Sequence, residues 1–139
     1  MMLNPGSEWF SPLIGTEMMD ALKGATVALV SSLLASMVLA YLFRIPIPMG
    51  GMIGLFGEVS SYTMAISDVL MAVVTAWIFY GIFGGFIILL LCGGVTGLII
   101  GRRYSSSNQK NRMIVAWSSA ISTIPVLILS TLDYIIGPW

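Results

Sequence analysis

The chain has 139 residues, enough for one domain, with 58% hydrophobic and 9% charged residues, a formal net charge of +0 and a mean hydropathy of +0.98. An ordinary soluble domain carries roughly 25% charged residues, and a small one has too much surface to hide so apolar a composition. A soluble domain is therefore excluded, no basic surplus points to nucleic acid, and lipid is the solvent that suits the chain.

Histidine is absent and Cys92 is the one cysteine. The commonest general base and metal ligand is thus missing, and an intrachain disulfide is impossible. Neither an enzyme nor a cofactor is expected. The ten methionines include Met49, Met52, Met64 and Met71. Thioethers can select copper(I), but methionine as a filler of irregular apolar gaps accounts for them, and no metal is expected.

Residues 1–20 hold Pro5, Pro12, Glu8, Glu17 and Asp20, with Trp9 and Phe10 between them. They are expected to form an interfacial arm with its rings at headgroup level, or else a loosely held terminus. The acidic residues have the wrong charge for a signal-peptide n-region, and Val38-Leu39-Ala40 is at most a weak cleavage site. The first apolar stretch is therefore expected to remain as a span. Span one covers 24–43, about 30 Å of helix, closed by Arg44. Gly24, Ala28, Ser32, Ser36 and Ala40 recur every fourth residue along it and so share one helix face.

Pro46 and Pro48 end that helix. Residues 45–61 then form an apolar, glycine-rich loop, expected either to lie at the interface or to re-enter the membrane carrying Glu58.

From Val69 to Gly101 no residue is charged. One straight helix of that length would reach about 50 Å, well beyond a hydrocarbon core of about 30 Å. The length predicts a hairpin, with span two at 62–80, a turn at 81–85 and span three at 86–101. The alternative is one long tilted helix. In the hairpin, Asp68 lies one to two turns inside the membrane and, with Glu58, becomes a candidate ion or proton site. In the long helix, Ser67-Asp68 is an N-cap. Gly93, Gly97 and Gly101 form a second small-residue stripe, with Gly81 and Gly85 in the same frame. Small residues at four-residue spacing let helices approach closely, and a partner could be internal, identical or foreign.

Residues 102–112 carry Arg102, Arg103, Lys110 and Arg112, four of the six basic residues. By the positive-inside rule this loop is cytoplasmic and the C-terminus lies on the opposite side. The cations are also candidates for anionic headgroups. Span four covers 113–132, with Ser118, Ser119, Ser122 and Thr123 before Pro125. Pro125 frees the carbonyl of Ile121, and Ser122 and Thr123 are within reach of it.

The expected fold is an all-α polytopic transmembrane helix bundle of four spans, with three as the alternative. The expected function is that of a non-catalytic membrane subunit packing through its small-residue faces, in contact with membrane lipid and with other membrane subunits, most simply in the cell membrane. The alternatives are a small oligomeric channel or transporter using Asp68 and Glu58, and a self-associating pore-forming or membrane-coat protein. No nucleic acid partner is expected.

Overall fold

The structure, a computed structural model, describes residues 11–43, 45–47, 51–53 and 65–136, with side chains for 15–43 and 65–131. Its elements are α1 (Ser11–Leu42), a two-stranded antiparallel ribbon of β1 (Ile45–Ile47) and β2 (Gly51–Ile53), α2 (Ile66–Tyr80), α3 (Phe86–Arg103) and α4 (Lys110–Ile136). Three stretches are long and apolar enough to cross a membrane: Gly15–Leu42, Ile66–Arg103 and Lys110–Thr131.

Two features at the start of the chain add to what the sequence suggests. Residues 11–20, assigned to the interfacial arm, are the first turns of α1. Part of the 45–61 loop is paired backbone, with Pro46 opposite Met52. Glu58 lies outside the described residues, as does the remainder of the arm.

The middle of the chain decides the architecture. Gly81–Gly85 is a break between α2 and α3, where Phe83 (φ −75°, ψ 21°) and Gly84 (φ 111°, ψ −12°) leave the helical region. The break falls where a turn was expected, yet the chain does not reverse there. Val69, Val73 and Ala76 of α2 pack with Leu39 and Ala40 of α1, and Trp77 reaches Ser32. Gly93 and Gly97 of α3 then meet Ala28 and Gly24, and Gly101 meets Asp20. Both halves therefore run antiparallel to α1, one after the other. Among the described residues Ile66–Arg103 is thus one interrupted stretch, one of three long and apolar enough to cross a membrane, and the expected four spans are not confirmed.

The reason lies in how the break is closed. Within the break Gly84 takes a positive φ, open to glycine and strained for other residues. The Phe86 N–H bonds back to the Gly81 carbonyl, so the helix is re-formed on the far side. The bulge at this break is a kink joining two helices, with glycine at its positive-φ position.

The bulge also resolves the excess length. The step on α1 from Ser32 to Ala28 rises about 6 Å, while Trp77 to Gly93 would rise about 24 Å in a straight helix. The surplus chain bows away from α1 and exposes Ile82 (71%) and Phe83 (76%). Measured along α1, the level of Asp20 to that of Ala40 is about 30 Å, one hydrocarbon thickness. Val69 to Gly101 is fitted into that height.

α4 runs parallel to α1. Lys110 and Asn111 lie near Asp20 and Lys23 at its start, and Ser122 lies against Ser31 further along. The N-terminal end of α1 and the 102–110 segment thus share one end of the bundle. In the four-span topology they would be on opposite sides.

Candidate functional site

The α1–α3 contact is built from small residues, and it is internal to the chain. Gly24, Ala28, Ser32, Ser36 and Ala40 are all buried. A Cβ on Gly97 would collide with the Asp20 carbonyl and lie 3.1 Å from Gly24 Cα, and one on Gly93 would press on Ala28 Cβ at 2.5 Å. Gly24 and Ala28 thus meet Gly93 and Gly97 at backbone contact, while Ser32 and Ala40 further along the same face meet α2.

At the end of this seam Gly101 leaves room for the Asp20 side chain, which is 4% exposed. Its Oδ2 pairs with Lys110 Nζ at 2.5 Å. Arg102 donates Nε and Nη2 to the two Glu17 oxygens at 3.0 and 2.9 Å, a bidentate pair that is well exposed. Lys23 Nζ donates to Asn111 Oδ1 at 3.3 Å. Glu17, Asp20 and Lys23 were not picked out from sequence. The signal was present, because Asp20 stands one step before Gly24 in the same four-residue frame.

The middle of the bundle is lined with hydroxyls. Trp77 Nε1 donates to Ser32 Oγ at 3.0 Å, and Ser32 Oγ donates to the Leu29 carbonyl at 2.8 Å. Ser36 Oγ donates to the Ser32 carbonyl at 2.8 Å, and Ser31 and Ser122 share a hydrogen bond of 2.7 Å between α1 and α4. Ser118 is buried, and its hydroxyl has no hydrogen bond among the described residues. Ser122 and Thr123 donate to the Ser119 carbonyl, at 3.0 and 2.8 Å, not to that of Ile121 as expected. Hydroxyls in a helix reach the carbonyl three or four residues back, and Ile121 lies too near in sequence for either.

A cavity of about 180 Å³ sits between the bulge and the Pro125 region of α4, lined by Val73, Trp77, Phe86, Leu89, Pro125 and Val126 among others. Trp77 and Phe86 meet edge to face across the break at 4.7 Å.

Asp68 is neither buried nor a cap. The N-cap of α2 is Ala65, and Asp68 is an exposed residue of the first turn, within 3.5 Å of the Ser67 hydroxyl. An acid there favours the positive end of the helix dipole. Of the basic loop residues, Arg102 and Lys110 are engaged in ion pairs, while Arg103 and Arg112 are exposed with no acidic partner among the described residues.

Comparison with protein families, with characterised proteins and with solved structures finds no match to this chain.

Proposed function

We propose that the chain is a non-catalytic integral membrane subunit that works within a larger membrane assembly through its outward faces. One observation carries this reading. Residues 24–43, 69–101 and 113–131 contain no Asp, Glu, Lys or Arg, and the buried hydroxyls between them are bonded mostly within the bundle. The spans thus offer packing and little chemistry.

The surface available to partners is not the one expected from sequence. The glycine and serine stripes are consumed within the chain, so other subunits would meet large side chains instead. In the apolar stretch of each candidate span, at most 33% is buried inside the chain. Val30, Leu34 and Val38 on α1, Phe79, Ile82 and Phe83 at the break, and Trp117, Ile124 and Ile128 on α4 all face outward. Such faces suit both lipid and apolar helices. On the positive-inside rule, the 102–109 segment and the N-terminal end of α1 are cytoplasmic, and the C-terminal end of α4 is on the opposite side.

The test is the mass of the complex extracted in mild detergent, with its components identified by mass spectrometry. The expected result is a particle containing this chain and different membrane proteins. A bare monomer or a pure homo-oligomer overturns the proposal. The homo-oligomer would favour a small channel or carrier, for which the supporting observation is the interrupted helix beside a cavity, the arrangement carriers use for sites at mid-membrane. Asp68, exposed at a helix start, gives that second reading no support.

A further inference from the structure

We infer that the groove between α1 and α4 at the charged end of the bundle binds an anionic phospholipid, its phosphate at Lys23 and an acyl chain along the groove. The groove has a volume of about 330 Å³ and is lined by Met19, Leu22, Thr26 and Val27 of α1, Ile114 and Val115 of α4, and Lys23 and Asn111 near its charged end.

The first argument is charge complementarity. Glu17 is occupied by Arg102 and Asp20 by Lys110. Among the described residues Lys23 bonds only to the neutral amide of Asn111. An ammonium has three N–H donors, so two are left for an incoming group. A cation with free donors lining an apolar groove calls for an anion, and a phosphate diester supplies the acceptor oxygens.

The second argument is the wall. Thr26 Oγ1 donates to the Leu22 carbonyl at 2.9 Å, so its hydroxyl is already bonded within α1. Beyond Lys23 and Asn111 the groove is otherwise aliphatic. From the level of Lys23 to that of Val27 it runs about 6 Å along α1, with Ile114 and Val115 opposite on α4. A free phosphate or a polar peptide would leave this length unused, whereas a phospholipid fills both parts. Lysine at such a position buries its stem and turns its charge toward the headgroups.

The sequence directs attention to Arg102, Arg103, Lys110 and Arg112 for headgroup binding. The structure removes Arg102 and Lys110 by pairing them and introduces Lys23 from the first helix.

The test is native mass spectrometry of the full chain released from nanodiscs of equal phosphatidylglycerol and phosphatidylcholine. Wild type should retain phosphatidylglycerol in clear excess. Lys23→Gln should lower that excess about fivefold, the effect of one interfacial cation. Lys23→Arg should preserve it, as should Arg103→Gln, which removes a cation that does not line the groove. Leu22→Trp fills the groove from an exposed position and should strip both lipids. An excess unchanged in Lys23→Gln overturns the proposal, and an equal loss in Arg103→Gln does so too, by showing diffuse charge. Retention of phosphatidylglycerol by Leu22→Trp, with inorganic phosphate displacing it, would assign the site to the phosphate group alone and overturn the lipid.

Discussion

Gly94 and Gly97 lie less than one turn apart on α3 but face different surroundings. A Cβ on Gly94 would find its nearest neighbour, the Ala21 carbonyl, at 3.7 Å, an ordinary contact. One on Gly97 would meet the α1 backbone at Asp20 and Gly24, which cannot swing aside as a flexible side chain can. Gly97→Ala should therefore destabilise the chain by about 1–3 kcal/mol, the usual cost of overpacking. Gly94→Ala should leave it unchanged to within about 0.5 kcal/mol. Denaturant titration in detergent micelles measures both, and equal effects would show that the seam is not at backbone contact. The stripe itself was legible in the sequence, because four-residue spacing is a property of the helix alone. Its partner was not legible, because nothing in the spacing distinguishes an internal face from an external one. Asp20 was passed over for a related reason: a carboxylate reads as an end signal, and only the space beside Gly101 shows that it belongs to the seam.

At the scale of elements, the location of the break was readable and its direction was not. Gly81, Gly84 and Gly85 mark the place, and the uncharged length from Val69 to Gly101 shows that a straight helix will not fit. Length can be absorbed in two ways, by turning back or by bowing out. Choosing between them depends on what α1 offers either half, which is long-range information. A turn would have required polar residues able to stay at the membrane surface, and this break has none. The two geometries place Phe83 differently. At a hairpin turn it would sit at the surface, whereas in the interrupted span it lies near the level of Val30, midway between Asp20 and Ala40. Phe83→Cys in a Cys92→Ser background should resist a water-soluble maleimide from either side of sealed vesicles and react once detergent is added. Rapid labelling in intact vesicles would restore the hairpin.

For the whole molecule, the packing of the helices puts the start of α1 beside the 102–110 segment, held there by Arg102–Glu17, Lys110–Asp20 and Lys23–Asn111. Gly15→Cys and Ser105→Cys should label from the same side of sealed vesicles, and Ala65→Cys from the other. Labelling of 15 and 105 from opposite sides would require the four-span count. These contacts are unequal in weight. The Glu17–Arg102 pair is exposed and screened by water, as surface pairs are. The Asp20–Lys110 pair is largely enclosed, and removing one partner would leave the other charge stranded.

Burial of Asp20 also has a consequence in time. Asp20 is made early and Lys110 late, and at ~5–20 residues per second the delay between them is roughly 5–20 s. Throughout that interval Lys110 does not exist, and the carboxylate must be satisfied by water. The end of α1 that carries it can take its enclosed position only after α3 has been made and α4 has begun. The turn around Asp20 is thus among the first to be synthesised and among the last to be enclosed.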